Sequence, residues 1–369
     1  MRGKRNKAAA LLVLLAVILL IFFSDADRRE TIRNLFPTAE NGGAEGLVFT
    51  YEAGTRQAFS RVGGGLAVAS GSGGQLLDAN GNAAARQLFA MSTPAVAVSE
   101  NSCVFFDVGG TAMRVMTMKG AVINLDTAQP IISATMNGSG WIAVVTEEPG
   151  YKGHVSVYDG DQNPIYEWLS GSGNIGYILS ARVAPDNKGM AVLSADKAGG
   201  KISFFSFTKE EPDVSYTSSG ELLFDFDYLT QSRIAAISEG RLVILSITGN
   251  QTGEYRFEGM HLADYELHGS DFVTLFLEKY RSLGEGRVVT ISSTGSVLGD
   301  IETGRGSVSL SSYDKNLLVL YSDGLALYSR ALEVIAEYGD TAGQKRAIVR
   351  SDNEAMLLSV YGADVINLK

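Results

Sequence analysis

The sequence predicts an all-β protein, a β-propeller of eight four-stranded blades that follows one N-terminal transmembrane helix. Two observations predict this fold class. Near the N-terminus, residues 8–23 form an apolar run without a polar side chain. Further along, two apolar runs joined by a turn rich in Gly, Asp or Asn recur eight times, as in 65–81 and 316–331, with starts 36 to 49 residues apart. A period of about 40–45 residues with several short strands per unit is typical of propeller blades.

The N-terminal run has the charge pattern of a membrane anchor with its N-terminus in the cytoplasm. Four cations precede the run, and acids follow it at Asp25 and Asp27. Cationic flanks stay on the cytoplasmic side of a membrane. The pattern predicts a cytoplasmic tail (1–7), a signal-anchor helix (8–23), a juxtamembrane linker (24–46) and an extracytoplasmic propeller (47–369). The cations that set this topology are Arg2, Lys4, Arg5 and Lys7.

A cleaved signal peptide, cut after Ala26, is the alternative for this segment. Its sixteen apolar residues lie between the 7–15 of a signal peptide and the roughly 17 that a spanning helix needs. The bulky Phe22 and Phe23 before the polar break favour an interfacial anchor over a processing site. Because no cysteine lies directly after the run, the segment is not a lipoprotein signal.

Composition narrows the classes of partner. The chain has a net charge of −10, and the part after the basic tail is more acidic still. An acidic domain disfavours nucleic acid, since phosphate binding rests on Lys and Arg. The single cysteine, Cys103, excludes an intrachain disulfide, so the propeller must be held by its apolar core.

The last repeat predicts how the ring closes. It supplies three strands, in 345–353, 355–362 and 363–369, and then the chain ends. An apolar run in 47–54 precedes the first complete unit and has no partner there. Pairing this run outside 363–369 would complete the last blade and remove an exposed edge. The closing residues are predicted to be Leu47, Val48, Phe49, Thr50 and Tyr51.

Two alternatives to this architecture stay open. A β-sandwich or a β-solenoid also alternates strands and turns, although a solenoid has shorter periods and a sandwich rarely has eight four-stranded units. Seven blades would result if one unit is divided wrongly, and the first unit, 56–90, is the least hydrophobic. In the hairpins between second and third strands, Gly240 and Gly324 are predicted to adopt positive φ.

Several motifs resemble ligand sites, but their context favours structural roles. The G-x-G-x-x-G run at 171–176 is followed by a strand pattern, whereas a dinucleotide site needs a helix there. The runs 78–82 and 159–163 resemble the start of a calcium loop but lack its later Gly and Glu. Both fall where a hairpin between third and fourth strands is expected. We therefore predict no catalytic, cofactor-binding or metal-binding residue.

The remaining polar and aromatic residues also favour structure. Asp225 and Asp227 alternate on an inner strand of the fifth blade, where they are predicted to form part of a solvated channel wall. Trp168, in an outer strand, is predicted to pack between blades. The three histidines form no metal-binding pair and are assigned structural roles; they are His154, His261 and His268.

The layout of basic flank, single span, short spacer and blades such as 317–339 resembles a family of uncharacterised, membrane-anchored β-propeller proteins of Gram-positive bacteria. The blades are also similar to quinoprotein-like and WD-type blades, without the paired Gly-His and Trp-Asp of WD repeats. They lack a regular tryptophan docking motif, so the resemblance does not extend to a quinone cofactor. A further likeness, to the eight-bladed lipoprotein that helps to assemble outer-membrane barrels, lacks the lipid-accepting cysteine. These resemblances imply fold and topology and no activity.

Taken together, the sequence favours a non-catalytic module, tethered to the cell membrane, that binds a cell-envelope protein or glycan. The first alternative is an enzyme, such as a glycan hydrolase or lyase. It requires several Asp, Glu, His or Arg side chains that converge on one mouth of the central channel. The second alternative, a sensor ectodomain, is weakened by a cytoplasmic tail of only seven residues. No cofactor is predicted.

Overall fold

The protein forms eight antiparallel sheets of four strands each. The computed structural model describes residues 48–368 apart from 53, 55, 172–175, 280–285, 340 and 342. Every regular element within these residues is a β-strand. The predicted all-β fold is therefore confirmed, with eight blades rather than seven.

Three predicted segments lie outside the described residues. They are the cytoplasmic tail (1–7), the transmembrane helix (8–23) and the linker (24–46); Leu47 lies outside as well. In the part of the chain that the structure describes, no helix is long and apolar enough to span a membrane.

Blades 1 to 4 use consecutive strands. The closing strand β1 (Val48–Thr50) precedes them. Blade 1 contains β2 (Ala58–Val62), β3 (Gly65–Ser70), β4 (Gly73–Leu77) and β5 (Ala83–Leu88). Blade 2 contains β6 (Pro94–Val98), β7 (Ser102–Asp107), β8 (Met113–Thr117) and β9 (Val122–Asn124). Blade 3 contains β10 (Ile131–Met136), β11 (Ile142–Thr146), β12 (His154–Tyr158) and β13 (Pro164–Leu169). Blade 4 contains β14 (Tyr177–Val183), β15 (Gly189–Asp196), β16 (Gly199–Ser206) and β17 (Val214–Ser219).

Blades 5 to 7 repeat this order, and blade 8 departs from it. Blade 5 contains β18 (Leu223–Thr230), β19 (Arg233–Ser238), β20 (Arg241–Ser246) and β21 (Gln251–Arg256). Blade 6 contains β22 (His261–Glu266), β23 (Phe272–Glu278), β24 (Gly286–Ser292) and β25 (Val297–Thr303). Blade 7 contains β26 (Ser307–Tyr313), β27 (Asn316–Tyr321), β28 (Gly324–Ser329) and β29 (Val334–Gly339). Blade 8 contains β30 (Arg346–Ser351), β31 (Glu354–Leu358) and β32 (Gly362–Asn367), and β1 is its fourth strand.

The first strands of the blades surround a central channel. First strands of neighbouring blades contact each other, as in β10 with β14, β22 with β26, and β30 with β2. Since consecutive strands within a blade are antiparallel, every first strand begins at the same face of the ring. We call this face the upper face. It carries the connections between blades and the hairpins between second and third strands, and the lower face carries the other hairpins.

The core consists of eight apolar clusters, and each lies between two neighbouring blades. Alternate residues of the second strands enter opposite clusters because strand side chains alternate between the two faces. In β27, Leu317 and Val319 pack toward blade 6, whereas Leu318 and Leu320 pack toward blade 8. A strand that is buried on both faces must be apolar at nearly every position. This explains the continuous apolar runs of the repeat.

The ring closes as predicted, through the pairing of β1 with β32. Phe49 lies opposite Ala363, and Thr50 lies opposite Gly362, in antiparallel register. The Phe49 side chain is fully buried in the cluster between blades 8 and 1. The Tyr51 hydroxyl donates to the carbonyl oxygens of Ser359 and Gly362, at 2.9 and 2.8 Å. The two ends of the propeller are therefore joined by backbone pairing, side-chain packing and hydrogen bonding.

A second set of contacts joins the same two blades at the lower face. The Arg350 guanidinium donates to the carbonyl oxygens of Gly64 and Ala79, at 2.7 and 2.5 Å. It also lies 3.3 Å from the Glu354 carboxylate. Blade 8 thus contacts two lower-face hairpins of blade 1 in addition to the packing around the closing strand.

The prediction of positive φ at Gly240 and Gly324 is wrong, because neither glycine adopts it. At the first hairpin, the Ser238 hydroxyl accepts hydrogen bonds from the backbone amides of Gly240 and Arg241, at 3.3 and 3.0 Å. A serine side chain thus holds the turn without a left-handed residue. At the second hairpin, a Cβ on Gly324 would lie 2.8 Å from the Tyr338 carbonyl oxygen, so the close approach of the neighbouring strand requires glycine.

Substitution of Phe49 tests the closure. Phe49→Ala removes a fully buried ring and should lower the free energy of unfolding by about 3 to 5 kcal/mol. Thr50→Ala, on the exposed side of the same strand, is the matched control and should change it by less than about 0.5 kcal/mol. Chemical denaturation of the two variants measures the difference, and equal stabilities would show that β1 does not hold the ring closed.

Candidate functional site

A charged network crosses the wall of the channel between blades 4 and 5. Asp225 and Asp227 lie two residues apart on β18 and share one face of the strand. The Arg182 guanidinium, from β14, lies 3.4 Å from the Asp225 carboxylate and 3.2 Å from that of Asp227. All three side chains are largely buried. The predicted solvated wall is therefore an ion-paired joint between two blades.

Blade 6 extends this network around the channel. The Tyr265 hydroxyl donates to Asp225 at 3.0 Å. The His268 ring places Nε2 3.1 Å from the Asp227 carboxylate and Nδ1 2.9 Å from that of Glu266. We define the channel network by these six residues: Arg182, Asp225, Asp227, Tyr265, Glu266 and His268. It ties the inner strands of three blades together.

The network favours the charged forms of three of its members, His268, Arg182 and Glu266. Desolvation would lower the pKa of His268, but the hydrogen bond to Glu266 and the charges of Glu266 and Asp227 raise it from 6.5 to about 9. Desolvation would also lower the pKa of Arg182, and the charges of Asp227 and Asp225 raise it instead. Burial acts to raise the pKa of Glu266, and its contacts with His268 lower it overall. At neutral pH Arg182 and His268 are therefore cationic, and Glu266 is a carboxylate.

Asp264, on the same strand as Glu266, lies where the neutral form of the carboxyl group is favoured. Burial, together with the neighbouring charge of Glu266, raises the pKa of Asp264 from 3.8 to about 6. Its carboxylate accepts a hydrogen bond from the Tyr265 backbone amide at 2.9 Å. Among the described residues, no cation lies within ion-pairing distance of Asp264, whereas Asp225 and Glu266 each have one and Asp227 has two.

Two cavities adjoin the network on the side of blades 6 to 8. The lower cavity, of about 310 Å³, lies where first strands end at the lower face, and Arg61, His268, Tyr313, Asp314 and Asp352 line it. The inner cavity, of about 250 Å³, lies among the first strands themselves. Its charged lining consists of Asp264, Glu266, Lys345 and Arg346. Glu266 and His268 thus connect the network to both cavities.

The upper face of blades 3 to 5 carries exposed apolar side chains, which we call the upper patch. Tyr177 at the start of β14 is 67% exposed, and Leu222 just before β18 is 53% exposed. The patch also includes Tyr151, Leu169 and Phe224, which are 42% to 47% exposed. A group of large exposed apolar side chains on one face is typical of an interaction surface.

Backbone contacts place Tyr151, Leu169 and Tyr177 close together. Leu222 lies three strand spacings from Tyr177, about 15 Å away. The Lys152 amide donates to the Ser170 carbonyl at 3.2 Å, and the Ile178 amide donates to the Lys152 carbonyl at 3.1 Å. Tyr151, Leu169 and Tyr177 are the chain neighbours of these residues. Tyr177 pairs with Ala195, Ala195 pairs with Gly200, and the Gly200 amide donates to Glu221 beside Leu222. At about 5 Å per strand, the patch crosses the upper edge of blade 4.

The two runs that resemble a calcium loop and the G-x-G-x-x-G run all fall in connections between strands, as predicted. Asp78 accepts hydrogen bonds from the amides of Asn80 and Asn82, at 2.8 and 2.9 Å. Asp159 does the same for Asp161 and Asn163, at 2.9 and 2.8 Å. Both carboxylates thus stabilise hairpins between third and fourth strands. The G-x-G-x-x-G run joins β13 to β14, a strand, and its residues 172–175 lie outside the described part.

Trp168 packs between blades 3 and 4, as predicted, with its ring 4.7 Å from that of Phe205.

The role of His268 in the channel network was not predicted from the sequence. His268 and Asp227 are 41 residues apart in the chain and meet only because their blades are neighbours. The one available signal is the repeat period, because equivalent positions of adjacent inner strands are about 41 residues apart.

Comparison with known proteins identifies the fold. The model of a family of unknown function, DUF5711, matches residues 48–323. No curated protein matches the sequence. The C-terminal WD40 domain of Sif2 is similar in structure, with a TM-score of 0.61 and 16% identity over 89% of this chain and 100% of that one. BamB from Moraxella catarrhalis has a TM-score of 0.55 and 15% identity over 87% of this chain and 99% of BamB.

A computationally designed protein, Ika8, is also similar. It has a TM-score of 0.62 and 11% identity, over 87% of this chain and 99% of Ika8. At such identities the similarities show a shared propeller fold and carry no information about ligands.

Removal of Arg182 tests how much the channel network contributes to the free energy of unfolding. Arg182→Gln leaves two largely buried carboxylates without their shared cation and should lower the free energy of unfolding by about 3 kcal/mol. Arg330→Gln removes an exposed ion pair with Asp271 and should cost less than about 1 kcal/mol. Denaturant titration of both variants measures the contrast. Equal losses would show that the network contributes no more than a surface pair.

The protonation of His268 predicts a pH dependence of stability. Its folded pKa of about 9 lies above the 6.5 of the unfolded chain. The stabilisation is therefore fully present below pH 6.5 and is lost as the pH rises through about 9. His268→Gln should flatten the fall in melting temperature across this range, whereas His261→Gln, at the exposed start of β22, should not. A wild-type melting temperature that rises with pH over this range would contradict the assignment.

Proposed function

Since the chain belongs to the family of unknown function DUF5711, we propose its function from its own surface: a non-catalytic binding module that docks a protein on its upper patch. The upper patch is the observation that supports this proposal. Five large apolar side chains lie exposed on one face of three adjacent blades, whereas the apolar side chains within the blades are buried. Leaving them in water has no benefit for folding, so a partner that covers them gains their hydrophobic free energy.

The chemistry of the upper patch favours a protein segment over a glycan. Leu169 and Leu222 are aliphatic and offer a sugar no hydrogen bonds. The upper-face connections of blades 3 to 5, with the strand ends beside them, carry charges of both signs. Their acids include Glu147, Glu148, Asp196 and Glu239, and their cations include Lys152, Lys197 and Lys201. A partner segment that combines apolar side chains with charged groups of both signs is complementary to this surface.

The tether gives this module its proposed location. The cations of the N-terminal tail and the apolar run 8–23 support a single-pass anchor with an extracytoplasmic propeller. The partner would then be a cell-envelope protein, within reach of a propeller held near the membrane by the 24–46 linker. The acidic net charge supports a solubilised external domain and opposes nucleic acid as a partner.

An enzyme is the second candidate function, and one observation favours it. Several Asp, Glu, His and Arg side chains do converge on the channel, and the raised pKa of Asp264 suits a general acid. Against this, Asp225, Asp227 and Glu266 each bind a cation of the network, which opposes their use as a nucleophile or base. Turnover of wall glycans by the wild-type protein but not by Asp264→Asn would support the enzyme.

Site-directed photocrosslinking tests the docking proposal. A photoreactive residue at Tyr177 should crosslink one stoichiometric partner in native membranes, and Leu222→Ser should reduce this product at least tenfold. A photoreactive residue at Ile335, which is 51% exposed on the outer strand of blade 7, is the matched control and should give none. The melting temperatures of the variants should equal that of the parent.

Three outcomes would contradict docking of a protein on the upper patch. They are crosslinks to glycan alone, equal products from positions 177 and 335, or products that Leu222→Ser leaves unchanged. Loss of the captured product in raised salt would add that charged groups contribute to docking, since exposed charges are screened.

A further inference from the structure

The inner cavity has walls of opposite charge. Asp264 and Glu266 project from β22 of blade 6 on one side. Lys345 and Arg346 project from the start of β30 in blade 8 on the other. Blade 7 lies between them and contributes Ser309 and neighbouring aliphatic side chains from β26. The cavity is therefore bipolar, with a carboxylate wall, a cationic wall and a weakly polar floor.

The cationic wall retains unused binding capacity. Arg346 makes one long hydrogen bond, at 3.4 Å, to the Phe59 carbonyl oxygen. Within the described residues, neither Arg346 nor Lys345 lies within ion-pairing distance of a carboxylate. A guanidinium carries five N–H donors in a planar fork that matches a carboxylate. The charge of Arg346 acts on Asp264 and Glu266 only across the cavity, where it lowers the pKa of both.

Of the two acids on the carboxylate wall, Glu266 is already paired with a cation, and Asp264 has no such partner among the described residues. Glu266 is bound to His268 through the ring and the backbone amide. Asp264 meets backbone donors from Tyr265 and Leu310 and no cation in the described part of the chain. A half-buried carboxylate without a cation is costly to ionise. A ligand cation placed beside Asp264 would relieve this cost.

We propose that the inner cavity binds a small zwitterion of the α-amino acid class. Its carboxylate meets Arg346 and Lys345, and its ammonium group meets Asp264 and Glu266. The volume of about 250 Å³ equals the share of about eight water molecules in liquid water. It therefore suits an amino acid of about six to eight non-hydrogen atoms. The Ser309 hydroxyl is occupied, because it accepts the Ala347 amide at 3.0 Å.

The two-walled geometry distinguishes a zwitterion from simpler ions. An anion alone would satisfy Arg346 but leave Asp264 unpaired and would add a negative charge to a cavity that already holds Glu266. A cation alone would satisfy Asp264 but leave two cations facing it. Only a ligand with both charges pairs both walls. Phe224 of the upper patch packs against Tyr265, which lines this cavity. None of the four charged residues that would bind the zwitterion belongs to the patch, so the two proposals are tested by different variants.

Calorimetric titration of the full-length protein tests the proposal. Alanine is the zwitterionic probe, and propionate and ethylamine each present one of its charges. Alanine should bind at least tenfold more tightly than either half. Asp264→Asn and Arg346→Gln should each weaken alanine binding at least tenfold, and Lys345→Gln should weaken it less because Lys345 is exposed. Arg330→Gln, at an exposed pair outside the cavity, is the control and should leave the affinity unchanged.

Several results would overturn the proposal. Propionate binding as tightly as alanine would make the cavity an anion site, and ethylamine binding as tightly would make it a cation site. Absence of any alanine heat with folded wild-type protein would also reject it, as would an alanine affinity in Asp264→Asn and Arg346→Gln that equals that of the wild type. Far-ultraviolet circular dichroism and the melting temperature establish that each variant is folded. If Arg346→Gln fails to fold, Lys345→Gln and Asp264→Asn still decide.

Discussion

The pairing of β1 with β32 is the constraint on which the rest of the structure depends. It brings together residues that are more than 300 positions apart, Phe49 and Ala363, and it supplies the fourth strand of blade 8. Each of the eight apolar clusters lies between two blades, so an open ring would lose the cluster between blades 8 and 1 and expose apolar surface on both. A closed ring instead leaves no blade without two neighbours.

The same closure organises the channel. Inner strands that surround a common axis place equivalent positions of neighbouring blades next to each other, and this is how Arg182, Asp227 and His268 meet from three blades. The channel network uses this proximity to join blades 4, 5 and 6 by charge. Arg350 joins blades 8 and 1 by hydrogen bonds to backbone carbonyls, and Tyr51 holds the closing segment to the rest of blade 8 in the same way. Different parts of the ring are thus held by different polar chemistry around a uniform apolar core.

The fold could be predicted from the sequence because the repeat is visible in short stretches of the chain. The alternation of apolar runs and turns, its period and the missing fourth strand of the last unit are all visible in the chain. The sites could not be predicted in this way, because a pair such as Asp227 and His268 is set by the geometry of neighbouring blades. The acids at Asp225 and Asp227 were recognised as channel residues, but their arginine lies one blade earlier in the chain. Burial also has no local signature, so the contrast between the exposed Tyr177 and the buried Ile178 followed only from the structure.

Hydrogen exchange of the backbone amides is the measurement that tests ring closure most directly. If closure is part of one cooperative unit, the paired amides of Phe49 and Ala363 should exchange as slowly as those of the central strand β31, through global unfolding. Strand β1 is short and terminal, and such a segment frays when it is merely docked. Rapid exchange at Phe49 beside slow exchange in β31 would contradict the account, because the propeller would then be stable without its closing strand.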